Sequence, residues 1–198
     1  VNEKVVNENL IDFQIALIES DKTYVERIDV TGNSVTEEAV IRNSLLIDEG
    51  DPLNNILLAK SINNLRARGI FKDVNSKLIK GSSESERVVK IDVVEKPTGE
   101  ISAGAGVGTS GGTIAFGIKE NNYLGKGINL NTHITISKDS LKGNFNYVNP
   151  NFKNSDKSLI LGFGATTLDK LTEYGYKTED KSFSLGTRYE QYEDVFFK

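Results

Sequence analysis

Residues 101–189 consist mainly of segments of about ten residues in which apolar and polar side chains alternate. Alternation with a period of two places the apolar side chains of a strand on one face, so it predicts antiparallel β-strands. Glycine, hydroxyl and amide groups fill most of the opposite positions, including Gly104, Gly106, Gly162 and Gly164. The sequence therefore predicts about six strands with one apolar face and one small, polar face.

Two kinds of fold contain such strands, a soluble β-sandwich and a transmembrane β-barrel. The solvent face of a sandwich strand seldom repeats glycine, which weakens a strand, whereas a water-filled lumen accepts small polar groups. We therefore predict an antiparallel transmembrane β-barrel. The side chains expected to face lipid are Ile114, Phe116, Ile118, Ile128, Leu130, Ile134, Ile136, Phe145, Leu159, Leu161, Phe163, Phe183 and Leu185.

Six strands are too few to close a membrane barrel, which needs about eight or more. We therefore expect a barrel that is truncated after about six strands, with residues 193–198 beginning the next one. The chain starts with Val1 rather than Met, which indicates a fragment or a mature form of a longer protein.

The chain before residue 98 differs in composition, because it holds only four of the 18 glycines. A turn signal at Pro97 and Gly99 marks the change. The predicted domains are the last strand of a preceding unit in residues 1–22, an α+β domain in residues 23–97, and the start of the barrel in residues 98–198.

Within the α+β domain the pattern predicts the order β-α-α-β-β. The expected strands cover residues 24–31, 71–79 and 88–95, and the expected helices cover residues 37–46 and 53–68. Ser34 or Thr36 is expected to cap the first helix, and Ser34 and Glu37 have the spacing of a capping box. A further strand over residues 10–19 is expected to close the preceding unit.

Several classes of chemistry find no support in the sequence. The net charge of −4 and the lack of a basic patch give no binding surface for nucleic acid. The chain has no Cys, and its single histidine is His133. The acids Asp48, Glu49 and Asp51 lack the spacing of a calcium loop. No metal site and no cofactor is therefore expected. Residues 106–111 match G-x-G-x-x-G, but the following residues alternate and do not start a helix, which argues against a nucleotide site.

The motifs of the first part resemble a POTRA domain. They are Tyr-Val-Glu-Arg-Ile-Asp-Val-Thr-Gly-Asn at residues 24–33, Ala-Val-Ile-Arg at 39–42, and Leu-Arg-Ala-Arg-Gly-Ile-Phe at 65–71. The run Val-Glu-Lys-Pro-Thr-Gly at 94–99, Glu-Asn-Asn-Tyr-Leu-Gly-Lys-Gly at 120–127 and Asn-Pro-Asn-Phe at 149–152 are similar to the start of the barrel in the BamA family of outer-membrane assembly factors.

This resemblance implies a protein without enzymatic activity that assembles β-barrel proteins in the outer membrane, with its POTRA part in the periplasm. The implied partners are unfolded outer-membrane protein precursors, accessory lipoproteins and the lipid bilayer. Precursor strands would pair with the POTRA domain and with the first barrel strand, which serves as a template by β-augmentation. This gate strand comprises Glu100, Ile101, Ser102, Ala103, Gly104, Ala105, Gly106, Val107 and Gly108.

Some relatives carry a basic-acidic pair after the Ala-Val-aliphatic-Arg stretch and use it to dock a lipoprotein. In this chain Asn43 and Ser44 follow Arg42, so the resemblance assigns a partner-binding role to Arg42 alone. Two alternatives stay open at this point. One is a TamA-like or two-partner-secretion translocator of the same superfamily, and the other is a soluble periplasmic scaffold built on a β-sandwich.

Overall fold

The computed structural model describes residues 2–7, 10–14, 22–108, 111–192 and 195–197. These residues form a two-stranded sheet, a three-stranded sheet and a seven-stranded sheet. Within the described ranges, no helix has the length and apolar character needed to cross a membrane.

The two-stranded sheet lies at the start of the chain. Strand β1 (Asn2–Asn7) pairs antiparallel with β2 (Leu10–Gln14). The strand expected over residues 10–19 is present in its first half, and residues 15–21 lie outside the described residues. Strand β1 has no counterpart among the predicted elements.

The next unit has the predicted order β-α-α-β-β. It consists of β3 (Tyr24–Thr31), α1 (Glu38–Arg42), α2 (Asn55–Ala67), β4 (Phe71–Lys80) and β5 (Glu86–Glu95). Strand β5 lies in the centre of its sheet, parallel to β3 and antiparallel to β4.

One hydrophobic core joins the helices to this three-stranded sheet. Leu58, Ile62 and Leu65 recur along one face of α2 at the spacing of a helical stripe, and all three are buried. The other members of the core are Val25, Ile28, Val40, Ile41, Ile47, Ile70, Phe71, Val74, Val89, Ile91 and Val93. Full burial of such a side chain contributes about 1.5–3 kcal/mol, so this cluster holds the layers together.

Both helices differ from their predicted bounds. Helix α1 covers five residues, and no side chain caps its start at Glu37. The predicted cap from Ser34 is wrong because the Ser34 hydroxyl donates instead to the Glu95 carboxylate, at 2.8 Å. Helix α2 begins two residues later than expected, because the Asn54 side chain accepts hydrogen bonds from the first-turn N–H groups of Ile56 and Leu57.

The seven-stranded sheet is an antiparallel meander in which each strand pairs with the next one in sequence. Its six long strands confirm the predicted antiparallel sheet, and the described residues do not close into a barrel. The sheet also includes a 3₁₀ turn at Phe152–Asn154 and the short helix α3 at Leu171–Tyr174. The strands are β6 (Gly99–Gly108), β7 (Gly111–Tyr123), β8 (Ile128–Ser137), β9 (Ser140–Asn149), β10 (Lys157–Lys170), β11 (Tyr176–Tyr192) and β12 (Val195–Phe197).

The register of this sheet separates its two faces across every strand. Residues that pair directly point to the same face. One row of direct partners on the apolar face is Ile101, Ile118, Thr132, Phe145, Phe163 and Phe183. The neighbouring row on the polar face is Ser102, Gly117, His133, Asn144, Gly164 and Ser182. Alternation within single strands therefore adds up to two continuous surfaces.

Candidate functional site

The first candidate site is the outer edge of β6. This strand pairs with β7 from Gly99 opposite Glu120 to Gly108 opposite Gly111, and no described strand pairs with its other side. All of its residues are exposed. The predicted gate strand, residues 100–108, lies entirely within β6. One side of β6 therefore presents backbone N–H and C=O groups that a further strand could bind.

The glycines of β6 leave open space on the polar face. A Cβ atom added to Gly104, Gly106 or Gly108 would meet no atom within 4 Å. In the neighbouring strand a Cβ at Gly117 would lie 2.5 Å from the Ser102 hydroxyl, so a side chain there would require that hydroxyl to move. Gly104, Gly106 and Gly108 are thus not needed for packing among the described residues.

The apolar face carries the side chains predicted to contact lipid. Eight of them are 40–66% exposed, namely Ile114, Phe116, Ile118, Ile134, Ile136, Phe163, Phe183 and Leu185. Leu130, Phe145, Leu159 and Leu161 are half-buried among their neighbours. Ile128 differs from the prediction that it faces lipid, because its side chain is only 6% exposed. It is the first residue of β8 and follows a turn that lies against the α+β unit, where Gly127 approaches the side chains of Val40 and Arg68.

Arg42, the predicted partner-binding residue, makes three contacts within the α+β unit. Its guanidinium donates to Glu38 at 2.7 Å, to Glu49 at 3.2 Å and to the carbonyl oxygen of Ile28 at 2.8 Å. The Glu49 carboxylate also accepts the N–H of Ile28, at 3.0 Å. Hydrogen bonds from Ile28 and Arg42 lower the pKa of Glu49. The side chains of Arg42 and Glu49 therefore cover the backbone of β3 at Ile28.

Glu95 lies at the end of β5, in the run of residues 94–99 that carries the family resemblance, and the sequence predicts no separate role for it. Its carboxylate accepts the N–H groups of Ser34 at 3.0 Å, Val35 at 3.0 Å and Thr36 at 2.6 Å. Burial raises the pKa of Glu95, but hydrogen bonds from these three residues outweigh burial and lower it to about 2. Glu95 thus stays ionised and binds the segment before α1 to the start of the linker that leads into β6.

Ion pairs join two hairpins at the opposite end of the sheet. Lys170, at the end of β10, donates to Asp139 in the β8–β9 turn and to Glu173 in α3, the latter at 3.1 Å. Lys138 also pairs with Glu173, at 3.2 Å. These charged residues belong to a network that fixes the turns. His133 lies on the polar face, and the described residues contain no group of three or more possible metal ligands.

One segment of the chain matches a known protein family. The POTRA family, described as a surface antigen variable number repeat, matches residues 23–96. BamA of Nitratidesulfovibrio vulgaris is 28% identical over 162 residues, which cover 79% of this chain and 20% of that protein. BamA of Buchnera aphidicola is 33% identical over 145 residues, which cover 68% of this chain and 23% of that protein. The chain thus spans about a fifth of the length of the curated relatives it matches.

Solved structures share the fold. The crystal structure of BamA from Haemophilus ducreyi lacking POTRA domains 1–3 aligns with a TM-score of 0.74 and 23% identity, over 97% of this chain and 37% of that one. CdiB from Acinetobacter baumannii aligns with a TM-score of 0.59 and 14% identity, over 85% of this chain and 34% of that one. Residues 23–96 are therefore a POTRA domain, and the chain as a whole is similar in sequence and fold to part of the outer membrane protein assembly factor BamA.

Proposed function

We propose that this chain is part of an outer-membrane protein that inserts β-barrel precursors into the membrane, with its POTRA domain in the periplasm. The observation that carries the proposal is the outer edge of β6, which pairs with no described strand and borders a sheet with one continuous apolar face. An unpaired backbone group costs several kcal/mol in hydrocarbon, so a strand edge there binds another strand strongly. No covalent bond is made or broken in this activity.

The apolar face would contact lipid, and the polar face would line a water-filled lumen. Strands of about ten residues match the length that a tilted strand needs to cross a bilayer. The chain would supply the first strands of a barrel that is completed by strands outside the described residues. The exposed isoleucine and phenylalanine side chains would then be covered by acyl chains rather than by water.

The two edges of the POTRA sheet differ in their capacity to pair with a precursor. At the β3 edge, Gly50 and Asp51 bind the backbone of Val25, while Arg42 and Glu49 bind the backbone of Ile28. Side chains and a loop thus occupy the groups that a further strand would need. This edge is closed to strand addition over most of its length.

The β4 edge is open over its second half. Along an antiparallel strand, every second residue directs its N–H and C=O groups away from the partner strand. Gly81 bonds to Glu86 across the β4–β5 hairpin, whereas the carbonyl oxygen of Val74 faces outward and is bound by Arg66. By this alternation Ser76 and Leu78 also direct their N–H and C=O groups away from β5. Neither residue has a hydrogen-bond partner at these groups within the described part of the chain. Precursor segments would therefore add to β4 beside Ser76 and Leu78.

Accessory lipoproteins would bind elsewhere on the POTRA surface, and Arg42 is the residue that the family resemblance assigns to them.

The proposed function is tested with the full-length protein reconstituted in liposomes. Urea-unfolded outer-membrane protein is added, and its insertion is followed by the band shift of the folded barrel in gel electrophoresis. Faster insertion than in protein-free liposomes is the expected result. An unchanged insertion rate would contradict the proposal, and passage of the substrate into the liposome lumen would instead favour a translocator.

Proline at residue 78 tests the proposed POTRA edge. Leu78→Pro removes an N–H that faces away from β5, so the β4–β5 ladder is retained while strand addition is blocked. Because one ladder hydrogen bond contributes about 1 kcal/mol, we expect capture of precursor to fall about fivefold. Site-specific photocrosslinking from Lys80 measures capture. Leu78→Ala is the matched control, since it removes the side chain and keeps the N–H. Equal crosslinking in both variants would place precursor binding elsewhere.

A further inference from the structure

The turn between β7 and β8 contacts the POTRA domain directly. The N–H of Glu37 donates to the carbonyl oxygen of Gly125 at 2.8 Å, and the Asn122 side-chain amide donates to the Thr36 hydroxyl at 2.9 Å. Asn122 and Thr36 are both buried. The oxygen of the same Asn122 amide accepts the N–H of Gly127 at 2.8 Å. Asn122 therefore shapes the turn and holds it to the segment before α1.

Arg68 links the POTRA domain to a second turn of the sheet. It lies at the end of α2, and its Nε donates to the Ser44 hydroxyl at 2.6 Å. Its Nη2 donates to the Asn151 side-chain oxygen at 2.6 Å, in the turn between β9 and β10. The fixed planar fork of a guanidinium makes both bonds directional. Arg68 thus spans the boundary between the two units.

Gly125 shows how closely the two backbones approach. It has a φ of +71°, and a Cβ atom at this position would lie 2.1 Å from the carbonyl oxygen of Val35. No side chain fits in that space, since ordinary van der Waals contact begins at about 3.4 Å. The POTRA domain and the turn are therefore in backbone contact at Gly125.

The contact between the POTRA domain and the β7–β8 turn extends to the start of the β6–β7 hairpin. Glu95 binds the segment of residues 34–36, and Thr98 donates to the carboxylate of Glu120. That carboxylate also accepts the N–H of Asn122, at 2.7 Å. The linker, the segment before α1 and the β7–β8 turn therefore meet beside the first residues of β6.

We propose that Asn122 and Arg68 are positioning residues. They dock the POTRA domain on the β7–β8 and β9–β10 turns, at the end of the sheet where β6 begins, and so fix the first residues of β6. Asn122 holds the β7–β8 turn, and Arg68 holds the β9–β10 turn. With both turns held, the POTRA domain cannot rotate relative to the sheet without breaking these hydrogen bonds. The docking is a property of the fold and does not depend on the proposed insertion activity.

Distance measurements on the full-length protein in lipid test this docking. Spin labels are placed at Asn63→Cys on α2 and at Lys138→Cys in the β8–β9 turn, directly after the far end of β8. Any other cysteine is replaced, and double electron–electron resonance gives their distance distribution. Gly125→Ala forces the backbones at Val35 apart by about 1 Å. If the sheet pivots about the Arg68–Asn151 bond, two strand spacings or about 10 Å from Gly125, the length of β8, about 33 Å, converts this displacement into a shift of roughly 3 Å in the distribution.

Two matched controls separate docking from general strain. Gly175→Ala has nearly the same positive φ, +72°, with no atom within 4 Å of the added Cβ, and should leave the distribution unchanged. Arg68→Ala should broaden the distribution, whereas Arg66→Ala, which loses a bond to Val74 inside the POTRA domain, should not. If Gly125→Ala and Arg68→Ala both leave the parent distribution unchanged, the docking proposal is wrong.

Discussion

The full-length protein carrying Gly104→Val and Gly106→Val is expected to fold normally and to insert precursors about tenfold more slowly than the parent. Both added side chains enter open space, so folding has no steric obstacle. Valine favours the extended strand by up to about 1 kcal/mol per position relative to glycine. If β6 must bend or separate to accept a precursor strand, the barrier rises by roughly 1–2 kcal/mol, which gives the tenfold slowing.

The control for this double variant is Gly186→Val. Gly186 lies on the same face of the sheet in β11, and its added Cβ would meet only the Ile160 side chain, at 3.9 Å. Strand β11 is distant from the free edge, so this variant should insert precursors at the parent rate. Insertion is measured in liposomes at equal amounts of folded protein. A double variant that matches the parent would exclude bending of β6 as a requirement for insertion.

Arginine in place of Phe163 is expected to destabilise the protein in the membrane by about 2–4 kcal/mol, the cost of an arginine on the lipid face near the bilayer midplane. Phe163 is 52% exposed on the apolar face, and its ring lies 5.0 Å from that of Phe183 and 6.5 Å from that of Phe145. Loss of these aromatic contacts adds to the cost. Urea-induced unfolding of the full-length protein in phospholipid vesicles measures the change.

Asn144→Arg is the matched control for Phe163→Arg. Asn144 is exposed in the adjacent row on the polar face and pairs directly with Gly164, the residue after Phe163. An arginine at this position would enter the water-filled lumen, so the free energy of unfolding should change by less than about 1 kcal/mol. Equal destabilisation by the two substitutions would show that both faces have the same surroundings, which the proposed membrane barrel does not allow.

The strands and the α+β order could be predicted from the sequence because their signals are local. A period of two from Ile101 to Tyr189 defines both the strands and their faces without any knowledge of which strands are neighbours. The apolar stripe on α2 and the strand from Tyr24 to Thr31 are of the same kind. The bounds of α1 were harder to predict, because Ser34 has a local signal for capping but bonds instead to Glu95, which is distant in sequence.

The contacts between the units could not be predicted, because they join residues that are far apart in sequence. Asn122 and Thr36 are separated by 86 positions, and Arg68 and Asn151 by 83. No periodic pattern marks such polar pairs. Gly125 did belong to a motif that carried the family resemblance, but its close approach to Val35 becomes visible only in the folded chain. Ile128 illustrates the same limit, since alternation placed it on the apolar face, whereas it is only 6% exposed in the folded chain.

The accessibility of spin labels at two consecutive residues of β11 tests the central claim most directly. Phe183→Cys places a label on the apolar face, and Ser182→Cys places one on the polar face. In the full-length protein in lipid, the label at residue 183 should collide with oxygen, which concentrates in hydrocarbon, and not with a water-soluble nickel chelate. The label at residue 182 should show the reverse. A label at residue 183 that is shielded from both reagents would mean that protein covers the apolar face, and would contradict the membrane barrel.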